Sequence, residues 1–393
     1  VQTVAKSEEA LVRLAEPRAL DFTDALQGGH HALAQRFTSG PLFAIVPFNF
    51  PLNLALHKIA PALALGLPFV CKGPAQNPRT MEHLARLLVE AGVPTEDFLI
   101  FQADNDSAER LLATTLFPLV SFTGSKRVGL HLKKTFWDRK VILELGSTAA
   151  VVLCDDVPRW ELESMSQKLA ASAFGQAGQS CISLQHLFLE PENAGDFLSY
   201  FKDAASRLAA HWAPSDPETV CCPLVSPAAF DKVSELLADA QAKGATVWRA
   251  GLARPDDSYH PPTLVQLPPP AQSSKGFEAI RLLTEEVFGP VACVHMLPAG
   301  LDGRSLAARL GVVDANIHAS VFTYDGAKAK GLWEQAACHT LLWNEVPSWR
   351  ADAMPYGGTL GAHAGAVHAG LVGDEGPLYS MQEYTWERLL VLP

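Results

Sequence analysis

From residue 42 to residue 145 short apolar runs alternate with stretches of helical periodicity, and that alternation leaves few folds open. Leu42-Phe43-Ala44-Ile45-Val46, Pro68-Phe69-Val70-Cys71, Phe98-Leu99-Ile100-Phe101, Pro118 to Phe122 and Lys140 to Leu143 read as strands buried on both faces. Between them Leu52, Leu56, Ile59 and Leu63 recur at helical spacing. Residues 79–91 place Leu84, Leu87 and Leu88 on one helical face and Arg79, Glu82, Arg86 and Glu90 on the other. Shorter helices are predicted near 107–115 and after Gly124. A β-α-β-α order of this kind predicts an open parallel sheet covered by helices, an α/β fold. Beyond residue 147 the order resumes, with a helix at 159–174, a strand at 184–189, helices at 191–209 and 226–243 and a strand at 245–249. With 393 residues the chain is long enough for two cores, which predicts a first domain over 1–146, a second over 147–375 and a terminal strand segment over 376–393. Residues 36–46 and 384–392 also read as strands.

Composition excludes several function classes. The net charge of −11, with no basic stripe, argues against nucleic acid as a partner. Residues 52–71 are rich in apolar side chains, but His57, Lys58, Pro61, Gly66 and Pro68 interrupt them, so a buried helix and strand are predicted rather than a membrane span. Seven cysteines, an odd number without framework spacing, predict a reducing compartment, and with no apolar signal segment at the start the expected location is cytoplasmic. The adjacent Cys221-Cys222 is not a metal pattern, and no metal is expected.

Three local patterns carry chemistry. In Gly178-Gln179-Ser180-Cys181 the cysteine is a candidate nucleophile, which attacks only as thiolate and therefore needs a nearby proton acceptor. Glu144, at the end of the run from Lys140, is the candidate base, and Gly146 permits a sharp turn and close approach to a ligand. The competing reading is a small core cysteine, since cysteine is among the most buried residue types. In Pro47-Phe48-Asn49-Phe50-Pro51 two prolines bracket Asn49 and fix its backbone, making its amide a candidate oxyanion donor, a contribution of about 2.7–4 kcal/mol where such donors operate. The other reading is a strand-to-helix turn in which Asn49 bonds only to backbone. At 122–125 a strand turns through Gly124 and Ser125 into a helix whose N-terminal N–H groups suit phosphate.

Taken together, Pro47 to Pro51, Lys72, Phe122-Thr123-Gly124-Ser125, Leu143-Glu144-Leu145-Gly146, Gly178 to Cys181, Glu286-Val287-Phe288-Gly289-Pro290 and Met354-Pro355-Tyr356-Gly357-Gly358 resemble, in order, the motifs of the aldehyde dehydrogenase superfamily. The resemblance implies a Rossmann-type cofactor domain over 1–146, an α/β catalytic domain over 147–375 and a small β oligomerisation arm that includes part of 25–42 and 376–393. It implies NAD(P)-dependent oxidation of an aldehyde to a carboxylic acid through a thiohemiacetal and thioester on Cys181. In that scheme Asn49 and the Cys181 N–H hold the oxyanion, Glu144 activates water and Lys58 relays protons. Lys72, Gly124, Ser125, Gly146, Glu286 and Phe288 would bind the cofactor. The family's carboxylate three residues after the lysine is Ala75 here, so NAD and NADP both remain open. The expected assembly is a homodimer or homotetramer.

Departures from the pattern generate a second reading. The asparagine motif lies nearer the start of the sequence than in relatives, and Ser147-Thr148 stands where the family has glycine, which puts a side chain toward the expected nicotinamide site. A catalytically impaired binding or assembly subunit is the alternative. The stretch 357–376 is glycine-rich and carries His363 and His368, too few ligands for zinc. Arg350 is the candidate substrate residue, its fork suited to a carboxylate or phosphate tail, against the alternative of a structural ion pair with Asp352. Trp343 and Trp349 are read either as pocket lining or as core.

Overall fold

The computed structural model describes residues 2–16, 18–21, 31–268, 280–358 and 373–392. The chain divides into two compact units, one drawn from Val1–Leu145, Arg350–Gly357 and Gly370–Pro393, the other from Gly146–Trp349 and Gly358–Ala369. Residues 350–357, expected in the second domain, therefore pack with the first unit.

The first unit begins with helix α1 (Gln2–Ala15), strands β1 (Arg18–Asp21) and β2 (His31–Thr38), then β3 (Leu42–Ile45). The segment 36–46, read as one strand, is two. Gly40 at φ +119 and Pro41 break it, and a Cβ at Gly40 would press on the Pro118 ring, so only glycine fits the turn. Alternating elements follow: α2 (Pro51–Ala64), β4 (Phe69–Lys72), α3 (Pro78–Glu90), β5 (Phe98–Phe101), α4 (Asn105–Leu112), β6 (Leu119–Gly124), α5 (Lys126–Thr135) and β7 (Lys140–Leu145). Strands β3 to β7 form a wholly parallel sheet in the order β5-β4-β3-β6-β7, with Leu42, Phe43, Phe69 and Leu119 in its core. Helices α2 and α3 start with proline, which needs no N–H partner there, while the Asp104 and Ser125 side chains accept the first-turn amides of α4 and α5. This is the Rossmann-type doubly wound arrangement, with strand order reversing between β3 and β6. Ligands of such sheets bind beyond the strand C-termini at that reversal.

The second unit comprises β8 (Ala149–Leu153), α6 (Leu162–Phe174), β9 (Leu184–Leu189), α7 (Pro191–Ala210), α8 (Pro227–Ala242), β10 (Thr246–Arg249), β11 (Thr263–Gln266), β12 (Val291–Met296), α9 (Gly303–Leu310), β13 (His318–Phe322), α10 (Gly326–Gln335) and β14 (Thr340–Trp343). Its sheet runs β10-β11-β12-β9-β8-β13-β14, parallel except for β10 against β11. β8, β9 and β13 are buried along their whole length, as strands covered on both faces must be. The chain ends with α11 (Pro377–Tyr384) and β15 (Thr385–Leu392), which pairs antiparallel with β2 to complete a three-stranded sheet β1-β2-β15. Among the described residues no helix is long and apolar enough to cross a membrane.

Two neighbouring strands of the second unit bury a histidine pair. His186 on β9 and His295 on β12 share a hydrogen bond of 3.0 Å, and the His295 ring stacks on Phe188 at 4.1 Å between centroids. Burial holds His295 down at about 3 and His186 well below its usual value. Burial also lowers His260, to about 4. Such groups are neutral in the folded chain and titrate near 6.5 when unfolded, so their stabilising contribution is complete above about pH 6.5 and is lost as pH falls toward 3, at about 1.4 kcal/mol per pH unit for each. Urea midpoints should therefore fall between pH 7 and pH 4.5, and less steeply in a His186→Leu, His295→Phe double variant; equal slopes in the two proteins would contradict a role for this pair.

Candidate active site

In the second unit, the chain between α6 and β9 passes through three successive left-handed residues, Gln176 at φ 53, Ala177 at φ 56 and Gly178 at φ 67. For residues other than glycine this conformation costs about 1–3 kcal/mol each. The turn is held from both sides. Gln176 donates its N–H to Val220 O at 2.8 Å, the Gln179 amide donates to Gln176 O at 3.1 Å, and Val225 N–H donates to the Gln179 side-chain oxygen at 2.9 Å. A Cβ at Gly178 would overlap the Gly289 carbonyl. Ser183 locks the exit by donating to Ser172 O and Ala173 O. Cys181 lies in this exit, 8% exposed. The other six cysteines are poor nucleophiles: burial pushes Cys71, Cys154 and Cys293 up to about 12 and Cys338 up to about 11, and raises Cys221 and Cys222 as well.

The segment carrying Glu286 is anchored in the same unit. The Gln185 amide donates to Leu282 O and Glu285 O, Val287 N–H donates to its oxygen, and Lys232 Nζ donates to Glu286 O at 2.7 Å. Phe288 is left-handed, at φ 53. Glu286 Oε1 accepts from Ser147 N–H at 3.2 Å, and a Cβ at Gly146 would collide with the Glu286 carboxylate, so Gly146 is there for close approach. The Ser147 hydroxyl, expected to intrude toward nicotinamide, is instead buried, donating to Asp314 O at 3.2 Å and accepting from Ile317 N–H at 3.3 Å. It replaces a glycine with a staple to the 314–317 segment.

The first unit holds Asn49, Lys58, Lys72, Gly124, Ser125, Glu144 and Arg350. Asn49 follows β3 and is 7% exposed, with Pro51 starting α2. Glu144 lies within β7 and is wholly buried. Lys72 ends β4, its ammonium lowered by desolvation and partly supported by Asp104. Gly124 ends β6 and the Ser125 hydroxyl caps α5. Lys58, which a surface-helix reading would leave solvated, is fully buried in an ion pair with Glu375 and donates to Ser121 Oγ at 2.9 Å. Ser121 and Thr123 hydroxyls also donate to Glu375 Oε1.

Sequence reasoning did not single out Glu375, His57, Gln179 or Gln185. Glu375 sits in Gly373-Asp374-Glu375-Gly376, a stretch noted only for its glycines, while the two glutamines act on backbone groups and leave no sequence signature. Trp343 and Trp349 are about half exposed, at 55% and 49%, and neither is core. The interior of the glycine-rich stretch, 359–372, with His363 and His368, lies outside the described residues.

Comparison with known proteins shows the family. The aldehyde dehydrogenase family matches residues 2–386. The 3-sulfolactaldehyde dehydrogenase of Priestia megaterium is 30% identical over 354 residues, 90% of this chain and 69% of that protein. The sulfoacetaldehyde dehydrogenase of Neptuniibacter caesariensis is 27% identical over 99% of this chain and 80% of its own length. Among solved structures, aldehyde dehydrogenase 21 of Physcomitrella patens in complex with succinate superposes with a TM-score of 0.87 at 26% identity, covering 100% of this chain and 76% of that one. The chain belongs to the aldehyde dehydrogenase family, and its activity class is NAD(P)-dependent oxidation of aldehydes.

Proposed function

We propose that the protein oxidises a small aldehyde to the carboxylic acid, with Cys181 as nucleophile. The observation that most supports this reading is the left-handed turn ahead of Cys181, a strained backbone that a packing cysteine would not require. The Cys181 thiolate adds to the aldehyde carbon, and the resulting alkoxide is stabilised by the Asn49 side-chain amide and the Cys181 N–H. A bound NAD or NADP would supply the acceptor for the hydride of that carbon. Glu144 then removes a proton from the water that attacks the Cys181 thioester, and the acid leaves as the thiol re-forms. Lys58, paired with Glu375, relays the proton.

The β3/β6 reversal and the Ser125-capped N-terminus of α5 fit a dinucleotide. Lys72 would hold the adenosine ribose, Gly124 and Ser125 the pyrophosphate, Glu286 the nicotinamide ribose, and Gly146 and Phe288 the nicotinamide. Ala75 offers no carboxylate to repel a 2′-phosphate, so the choice between NAD and NADP stays open at this position. The bacterial relatives are named for sulfonated aldehydes, which supports a small polar aldehyde as substrate.

Strand β15 is an edge strand with Trp386, Leu389, Leu390, Val391 and Leu392 all 40% exposed or more. An edge of this kind supports assembly into a homodimer or homotetramer.

Three outcomes are expected. Cys181→Ala abolishes reduced-cofactor absorbance with every aldehyde, while Glu144→Gln keeps a single-turnover burst and slows steady turnover by about 10²–10⁴-fold; turnover surviving in Cys181→Ala would overturn the assignment. Gly178→Ala should lower kcat by at least about 100-fold with the cofactor affinity little changed, as displacement of the nucleophile by an ångström does; near-normal kcat would show that the turn does not position the thiol. Light scattering of the purified protein should give a dimer or tetramer that Leu390→Glu weakens, and a monomeric wild type would refute the arm reading.

A further inference from the structure

Residues 220–225 of the second unit bear on the nucleophile turn at both of their ends. Val220 O accepts Gln176 N–H at 2.8 Å, and Val225 N–H donates to the Gln179 side-chain oxygen at 2.9 Å. Between these two bonds stand Cys221 and Cys222, both free thiols, the first wholly buried and the second half-buried. The Val220 carbonyl shares a peptide plane with the Cys221 nitrogen, so a rotation of that plane swings the carbonyl away from Gln176. Beyond the pair, Pro223 fixes its own φ and Leu224 N–H donates to Ser258 O at 2.9 Å. The two cysteines therefore occupy the middle of a strap whose ends hold the turn before Cys181.

A hydroxyl with no use in the fold lies beside them. Tyr259 is 2% exposed, and its ring packs on Trp212 at 5.4 Å between centroids. Its oxygen is buried without a hydrogen-bond partner among the described residues. Burial, with Cys221 adding to it, pushes this phenol up, so it remains an O–H donor. A buried donor left unpaired is unfavourable to folding. Cys221 itself makes one weak contact, its thiol reaching His260 O at 3.9 Å.

Spacing and protonation decide what the two thiols can take together. Adjacent Cα atoms lie about 3.8 Å apart across a trans peptide, whereas a disulfide spans about 4.4–6.8 Å between Cα atoms, so a direct S–S bond here demands a distorted backbone. An atom inserted between the sulfurs relaxes that demand. Burial raises both thiols and keeps them protonated, which slows any reaction that begins with a thiolate, such as attack on a peroxide. A thiophile that binds two sulfurs in an uncharged product suits such a pair. Trivalent arsenic carrying one organic group has that chemistry.

We infer that Cys221 and Cys222 form a dithiol site for a monosubstituted trivalent arsenical, whose capture displaces the strap and disables the turn before Cys181. The loss of activity rests on the aldehyde oxidation proposed above; the capture does not. In the reaction R–As(OH)2 exchanges both hydroxyls for the two sulfurs. Two As–S bonds form, two As–O and two S–H bonds break, and the thiol protons leave with the hydroxyls as two waters, with no change of oxidation state. The Tyr259 O–H is the donor available to a departing hydroxyl.

The probe is phenylarsine oxide, which hydrates to the dihydroxy form, applied to the wild type, Cys181→Ala and Cys222→Ser and followed by a wash with excess monothiol to strip arsenic from single cysteines. Wild type and Cys181→Ala should each retain one phenylarsenic group and lose two titratable thiols. Mass spectrometry should place the group on the tryptic peptide 208–232, which contains Cys221 and Cys222 and no other cysteine. A dithiol such as 2,3-dimercaptopropanol should release it, and Cys222→Ser, with one sulfur left, should bind at least about 100-fold more weakly. Arsenic on other cysteines, or equal retention by Cys222→Ser, would overturn the site. So would a disulfide formed in 208–232 under mild peroxide in a protein that refuses the arsenical. In the loaded wild type kcat should fall by about 100-fold with cofactor affinity little changed, as an ångström of displacement at the nucleophile does, and 2,3-dimercaptopropanol should restore it. Full activity in the loaded protein would overturn the coupling through the strap. Loading of 208–232 in a protein inert toward every aldehyde would keep the dithiol site and refute the oxidation, whereas an active protein that refuses the probe would do the reverse.

Discussion

The buried ion pair between Lys58 and Glu375 is the constraint around which the first unit is organised. Removing two charges from water costs several kcal/mol per ion, and the loss is recovered only where geometry and further hydrogen bonds are good. Here Ser121 and Thr123 hydroxyls from β6 complete the Glu375 oxygen that Lys58 holds. The pair joins α2 to a segment 317 residues further along the chain. The residue before Lys58 does the same for the other returning segment, since His57 on α2 receives Arg350. Tyr356 and Glu375 then exchange backbone hydrogen bonds of 2.8 and 2.7 Å, linking the two returns to each other. Adjacent residues of one helix thus explain why 350–357 and the terminal segment pack with the first unit.

In the second unit the corresponding role falls to backbone geometry. Gly178 and Gly146 are each placed where a side chain would meet a neighbour, the Gly289 carbonyl in one case and the Glu286 carboxylate in the other. Gln179 and Gln185 then fix those two stretches through main-chain groups. The nucleophile segment and the Glu286 segment are consequently built as a unit, with Gly289 pressing on the turn that precedes Cys181. A rigid support of this sort suits chemistry that fails when a reacting atom moves by an ångström.

Much of this was legible in the sequence, and what was not has a common cause. The alternation of apolar runs and helical stretches located nearly every element from β3 to β10, because buried parallel strands and amphipathic helices each impose a period on composition. Short motifs single out Cys181, Asn49, Glu144 and Glu286 as candidates, because each stands beside a glycine or proline or within a motif of fixed order. The readings that failed concern long-range partners. Nothing near Lys58 announces a carboxylate at 375, and the partners of the Ser147 hydroxyl, an acceptor at 314 and a donor at 317, lie far along the chain. The break within 36–46 has the opposite origin, a local one, since Gly40 takes a left-handed turn there.

The two neighbouring cations of α2 and its partner segment show how selective polar satisfaction is in this region. Lys58, wholly buried, finds a carboxylate and a hydroxyl. Arg350, a residue away through His57, has its Nη1 end matched, while its Nε and Nη2 have no hydrogen-bond partner among the described residues. Loose packing would leave both imperfect. The fold completes the Lys58 charge with groups drawn from β6 and the terminal segment, the further hydrogen bonds that a buried ion pair needs if its geometry is to offset desolvation.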